Sequence, residues 1–202
     1  MHIAIIGAGN VGGAIGPRLA AAGHHVVYGV RAPAAGRPDQ ARIADAARDA
    51  EAVILAMPYA AAAETIEAGG GFAGKIVIDA TNPLRMGPDG LGLSLGFETS
   101  GAEQIAALAP GAHVFKSFNQ TGFENLADPA VYALRPAMFV AGDHAPSRPA
   151  VLRLVADAGF EAIDAGPLRN ARLLEPLGML WIDLALKRGQ GRQFAVTVQR
   201  KG

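Results

Sequence analysis

Short, nearly unbroken apolar runs punctuate the chain at residues 3–6, 25–28, 52–55, 75–79, 112–115, 137–141 and 160–163. Polar residues do not alternate with apolar ones inside these runs, which is the pattern of strands covered on both faces. Segments of helical pattern lie between them, at 11–22, 40–48, 60–68, 102–108 and 146–158. Strand followed by helix at this spacing predicts right-handed βαβ crossovers, and hence an α/β chain built on a doubly wound parallel sheet.

Several stretches depart from that rhythm. Residues 82–100 (NPLRMGPDGLGLSLGFETS) are rich in Gly and Pro, hold no period and read as a long loop. Residues 120–135 read as a short irregular connector. Further on, Leu173, Leu174, Leu177, Leu180, Trp181, Leu184 and Leu186 make a broad apolar helical stripe over 169–187, in which Pro176 and Gly178 predict a kink. Residues 194–198 (FAVTV) predict a closing edge strand. The chain thus divides into an α/β domain over 1–166 and a C-terminal extension over 167–202, which packs on that domain or forms the seam of a homodimer.

Composition narrows the function classes. The 202 residues suit one domain plus a small appendage, and a chain of this size buries roughly 70% of its unfolded surface without a disulfide or metal staple. Half the residues are hydrophobic and 18% are charged, which excludes intrinsic disorder. Eighteen basic residues balance 18 acidic ones, so the basic excess of a nucleic-acid binder is missing. With no Cys, disulfides, zinc–thiolate sites, iron–sulfur clusters and a cysteine nucleophile are all excluded. The five His show no metal-ligand spacing. No run approaches the ~18 apolar residues of a membrane span, and residues 1–13 lack the basic and apolar regions of a signal peptide. A soluble cytoplasmic protein, with no membrane or nucleic-acid partner, is expected.

The sharpest motif follows the first apolar run and opens the first helix: Gly7, Ala8, Gly9, Asn10, Val11 and Gly12. Isolated GxGxxG strings occur in turns that bind nothing. Between a strand and a helix, at the head of a βαβ unit, each glycine has a task. Gly7 permits the tight bend, Gly9 lets backbone approach a pyrophosphate, and Gly12 lets helix and strand pack closely. The helix N-terminus then receives the anion. This is the dinucleotide-binding, Rossmann-type turn. The second strand runs into Val30 and Arg31, and no Asp or Glu lies between Gly7 and Pro38. An acid there would hold the ribose hydroxyls of NAD, whereas Arg suits the 2′-phosphate of NADP. Arg31, with Arg37 as a second guanidinium, therefore predicts NADP(H).

Ligands of a doubly wound sheet lie outside the carboxyl ends of its strands. The residues expected there are Ala56, Met57, Pro58 and Tyr59, then Asn82 and Pro83, then Lys116 and Asn119. Met57 and Pro58 suit an apolar wall for the nicotinamide or its ribose, though they equally terminate a strand. Tyr59 offers a ring or a hydroxyl. Asn82 offers both donor and acceptor, yet Asn-Pro is also a common turn. Lys116 and Asn119 are the candidate substrate contacts, with a solvated role as the alternative. Asp79 reads as buried or capping at its strand end. Arg169, Asn170 and Arg172 face either the acceptor or solvent. No acid–base pair stands out, so the catalytic residues are left open. That silence suits direct hydride transfer, in which the protein aligns two organic partners.

Taken together, IGAGNVGGAIGPRLAAAGHHVVYGVR (6–31), AVILAMPY (52–59), KIVIDATNPL (75–84), VFKSFNQTG (114–122), MFVAGD (138–143) and DAGPLRNARLLEPLGMLWIDLAL (164–186) resemble the coenzyme F420-dependent NADP oxidoreductases. That group includes the reductase domains of membrane ferric reductases. The resemblance implies an NADP-binding doubly wound domain with a small C-terminal extension, against whose nicotinamide a deazaflavin (F420) or flavin docks. The stretch 31–51 is shorter than in the F420 enzymes. Ala35 stands nearest the Lys with which they hold the 2′-phosphate, leaving Arg37 as its substitute. The expected activity is an oxidoreductase moving hydride between NADPH and such a small-molecule acceptor. The alternatives are reduction of a small imine or carbonyl compound, with Tyr59, Asn82 or Lys116 stabilising the product, and a non-catalytic NADP(H) sensor.

Overall fold

In the computed structural model, which describes residues 1–201, the apolar runs become strands. They are β1 (His2–Ile6), β2 (His25–Val30), β3 (Gln40–Arg42), β4 (Ala52–Leu55), β5 (Ile76–Asp79), β6 (Leu84–Gly87), β7 (Gly90–Leu93), β8 (His113–Lys116), β9 (Ala137–Gly142) and β10 (Glu161–Asp164). The helices are α1 (Asn10–Ala21), α2 (Ile43–Arg48), α3 (Ala62–Ala68), α4 (Gly101–Leu108), α5 (Phe123–Ala127), α6 (Arg148–Asp157) and α7 (Ala171–Leu186). Eight strands form one sheet in the order β10-β9-β8-β5-β4-β1-β2-β3. All neighbours are parallel except β8 and β9. The doubly wound fold is the one the alternating pattern predicts. Its connectivity runs one way from β1 to β2 and the other way from β1 to β4, so a crevice opens at the carboxyl ends of β1 and β4.

Both faces of the sheet are covered, which is why the central strands carry so few polar residues. On one face Ile15 and Leu19 of α1 and Leu154 and Val155 of α6 pack with Ile3, Ile5 and Ile54. On the other, Ala46 and Ala47 of α2, Ile66 of α3 and Ile105 of α4 pack with Ala4, Val53 and Val77. Each fully buried aliphatic side chain of this kind contributes roughly 1.5–3 kcal/mol.

Departures from the expected elements have local causes. The segment expected to start a helix at 40 first adds strand β3, because Tyr28 pairs in register with Gln40 and donates its N–H to Asp39 O at 2.8 Å. The helix starts at Ile43. The 82–100 segment contains an antiparallel hairpin, β6–β7, whose base is closed by Ser94 N and Oγ donating to Pro83 O at 2.7 and 3.0 Å. The 120–135 connector contains α5. Residues 194–198 form no strand. Instead the Trp181 ring stacks on Phe194 with centroids 5.1 Å apart, and Trp181 Nε1 donates to Phe194 O at 3.0 Å. One ladder-like bond, Ala137 N to Val196 O at 2.8 Å, is all the segment shares with the sheet. Finally, α7 runs as one helix from Ala171 to Leu186 with the exposed Pro176 inside it.

Candidate active site

The glycine turn is built from three different constraints. Gly7 has φ 112°, and a Cβ on it would lie 2.7 Å from Ala56 O. A Cβ on Gly12 would overlap the carbonyl oxygen of Gly7, so the close packing of α1 on β1 requires glycine there. Gly9 is different: nothing lies within 4 Å of where its Cβ would be. The protein therefore has no internal need for glycine at Gly9, and the open space is what a close-approaching phosphate would occupy. Ala8 and Asn10 beside it are exposed and Val11 is half-buried. Helix α1 starts with no side-chain cap and no acid in its first turn, which leaves its N-terminal amides available to an anion.

A cleft of about 520 Å³ adjoins the turn, walled by Gly7, Val30, Arg31, Met57 and Pro58, with Glu64 of α3 at its rim. Arg31 is exposed just past the end of β2 and lines the cleft. Arg37 does not join it. Its guanidinium makes a bidentate pair with Asp39, Nε at 2.9 Å and Nη2 at 2.8 Å, which holds the Asp39 carboxyl below the usual carboxylate range. The expected second phosphate ligand is thus engaged inside its own turn. Ala56, half-buried, extends β4 by donating to Ile6 O at 2.9 Å and supplies the carbonyl against Gly7. The Tyr59 hydroxyl donates to Gln104 at 2.6 Å, and burial, followed by the charges of Glu175 and Asp79, raises its pKa.

Past β4 the site wall is polar but internally satisfied. Asn82 and Asn119 bind each other: Asn82 Nδ2 donates to Asn119 O and Asn119 Nδ2 to Asn82 Oδ1, both at 3.0 Å. Asn119 Nδ2 also donates to Leu174 O of α7 at 3.0 Å, and its Oδ1 accepts from Gln120 at 2.6 Å. Pro83 is buried. Phe118 holds φ 60°, a left-handed conformation unusual for a bulky residue, and so turns the chain from the end of β8 toward Asn119. Lys116 corrects the expectation most clearly. It is 0% exposed, and its ammonium donates to Thr81 O at 2.6 Å and Asp79 at 2.8 Å and meets Glu175 at 3.0 Å. Its three protons are spent inside the protein, so neither Lys116 nor the buried Asn119 presents a free group to a substrate.

Glu175 is the residue the sequence reading missed. It lies 2% exposed on α7 and accepts the N–H groups of Gly101 and Ala102 at 2.9 and 3.1 Å, capping α4 from another helix. Its signal was present: a lone carboxylate on the buried stripe that also carries Ala171, Leu174, Gly178, Trp181 and Ala185. Arg172, expected at the acceptor or in solvent, instead grips Glu103 bidentately at 2.7 and 2.8 Å and donates to Phe97 O at 3.2 Å. Asn170 donates to Ala165 O, and Arg169 is exposed. Among the described residues no group of three or more His, Cys, Asp or Glu could hold a metal, and no helix is long and apolar enough to cross a membrane.

Comparison with known proteins agrees with this geometry. Residues 2–83 match the family described as NADP oxidoreductase, coenzyme F420-dependent. Over 210 residues the chain is 30% identical to the F420-dependent NADP reductase of Methanothermobacter marburgensis, covering 93% of each chain. The chain belongs to the F420-dependent NADP reductase family. A crystal structure of a candidate F420-dependent NADP-reductase from Arthrobacter sp. FB24 superposes with a TM-score of 0.89 at 31% identity, covering 99% of this chain and 100% of that one. The metalloreductase STEAP3 of Rattus norvegicus is 28% identical over 193 residues, which are 88% of this chain and 37% of the rat protein. Family membership makes this chain an NADP oxidoreductase, and its residues fit that cofactor. The open space at Gly9 and the uncapped α1 would accommodate a diphosphate, and Arg31 lines the same cleft.

Proposed function

We propose that the protein transfers hydride between NADPH and a deazaflavin of the F420 type, acting in the cytoplasm as a homodimer. The observation that carries this reading is the cleft joining the Gly7–Gly12 turn to Arg31, on a chain 30% identical to an F420-dependent NADP reductase along nearly its whole length. Gly7, Gly9 and the α1 amides bind the diphosphate. Arg31 binds the 2′-phosphate, with no carboxylate on β2 to oppose it. Met57 and Pro58 form the wall that orients the nicotinamide and excludes water from one side. When bound, the cofactor itself supplies the hydride chemistry.

The acceptor side falls to the 82–100 segment, which starts with Asn82 and Pro83 past the carboxyl end of β5 and reaches Phe97, 99% exposed. The engaged state of the polar wall supports a deazaflavin acceptor over an imine or carbonyl compound, whose reduction calls for a positioned proton donor. The Tyr59 hydroxyl is given to Gln104, Asn82 to Asn119, and Lys116 to two carboxylates, so none stands free to donate a proton. The homodimer reading, with 167–202 as its seam, is supported by Leu173, Leu180 and Leu186, which remain 67%, 54% and 57% exposed on α7.

Anaerobic mixing of the protein and NADPH with F420, FMN or riboflavin, followed at the reduced-nicotinamide band, tests the acceptor. Rapid loss of NADPH with F420 and not with the flavins is expected. Binding of NADPH without oxidation by any of the three would contradict it.

A further inference from the structure

Asp79, Lys116 and Glu175 form a charge cluster that solvent does not reach. Their side chains are 0%, 0% and 2% exposed. Every contact to either carboxylate comes from a donor. Asp79 accepts from Lys116 and, at 2.9 Å, from Thr81 N, while Glu175 accepts from Gly101 N and Ala102 N and meets the same ammonium. One ammonium and the N-terminus of α4, equivalent to about half a positive charge, do not cancel two carboxylates. Counted by formal charge, the cluster is net negative.

Its position in the sheet gives that charge a target. Asp79 ends β5 in register with Leu55, the last residue of β4, and Lys116 is the register partner of Asp79 on β8. The cluster therefore starts one to two strand spacings, about 5–10 Å, from the β4 end where Met57 and Pro58 wall the cleft. A dinucleotide with its 2′-phosphate half toward Arg31 extends its other half across β4 toward β5. Tyr59 approaches the cluster closely: a Cβ on Gly101 would lie 3.0 Å from the Tyr59 ring and 3.1 Å from Glu175 Oε1. Burial first, and then the charges of Glu175 and Asp79, raise the pKa of the Tyr59 hydroxyl.

We infer that this buried cluster biases the site toward the oxidised cofactor, its residual negative charge favouring the cationic ring of NADP⁺ over the neutral ring of NADPH. The inference rests on the cofactor reading above and adds a direction to it. Bound NADPH gives up a hydride, two electrons and one proton, and becomes NADP⁺. The acceptor takes that hydride together with a proton from solvent. A site that holds NADP⁺ relatively tightly makes its NADPH the stronger donor. A buried ion cluster is seldom the most stable way to dock a helix, so the docking of α7 alone gives little reason for these three residues.

Calorimetric titration of NADP⁺ and of NADPH into the intact protein, Glu175→Gln and Asp79→Asn tests this. Each isosteric change removes one negative charge from a different element, and thermal melting establishes which variant is folded. The ratio Kd(NADP⁺)/Kd(NADPH) is expected to rise about three- to tenfold in either folded variant, as one unit charge ~10 Å away in a partly screened site would produce. Equal weakening of both forms, or an unchanged ratio, would overturn the inference and leave the cluster as a helix-docking device. If the unmodified protein bound neither form, the cofactor reading itself would fail and this inference with it.

Discussion

A Cβ on Gly178 would stand 2.6 Å from the carbonyl oxygen of Asn119 and 3.0 Å from Asn82 Oδ1. Helix α7 therefore meets the carboxyl edge of the sheet backbone to backbone, and the paired asparagines leave no room for even a methyl group. Gly178→Ala should push α7 off that edge, lowering stability by about 1–3 kcal/mol. A melting temperature unchanged from the parent would show that the contact is more compliant than it looks.

Gly9 and Gly12 make opposite predictions from one motif. Gly12→Ala meets backbone that cannot move aside, so it should cost about 3 kcal/mol or more and often prevent folding. Gly9→Ala meets nothing within the protein and should melt within about 0.5 kcal/mol of the parent, while weakening NADPH binding about tenfold or more. Thermal melts paired with cofactor titrations separate the two. A Gly9 variant that bound NADPH normally would argue against a diphosphate at that turn.

Arg31 and Arg37 should also part company. Arg31→Asp is expected to weaken NADPH about tenfold or more while sparing or improving NADH, because the lost contact is to the 2′-phosphate alone. Arg37→Ala should change neither affinity more than about twofold, since its guanidinium is already paired with Asp39. Equal loss of both cofactors in Arg31→Asp would make that residue a folding residue.

The stacked pair His113 and His144, with ring centroids 3.4 Å apart, carries a pH prediction. Burial first, and then the charge of His144, lowers the pKa of His113 from its usual 6.5. The unfolded chain therefore binds its proton more readily than the folded one. The stability this group permits is fully present above pH ~6.5 and is lost as pH falls through the depressed folded value. His113→Asn should flatten the fall of melting temperature below pH ~6.5. An unaltered pH profile in that variant would place the acid sensitivity elsewhere.

The fold was legible because its central strands are buried on both faces and so carry unbroken apolar runs. The hairpin β6–β7 was not, since Gly-Leu-Gly-Leu at 90–93 has the composition of a loop and covers no core. Strand β3 was hidden because three residues, Gln40–Arg42, hold too short a pattern to distinguish from the helix they precede. In the site, the strand–turn–helix setting of the glycine motif was legible from spacing, because Gly7 and Gly12 answer to backbone geometry, and Arg31 lines the adjoining cleft because it directly follows β2. Lys116 misled for a physical reason: a lysine at a strand end is ordinarily solvated, and only the arrival of Glu175 from almost 60 positions later closes over it.

The central claim is direct hydride transfer from NADPH to a deazaflavin without a protein acid or base. A single turnover of stereospecifically C4-deuterated NADPH with F420, with the product analysed by mass spectrometry, tests it most directly. One of the two C4 isotopomers should deliver its deuterium quantitatively to reduced F420, with none in water. Deuterium appearing in solvent, or no transfer from either isotopomer while NADPH remains bound, would contradict the account.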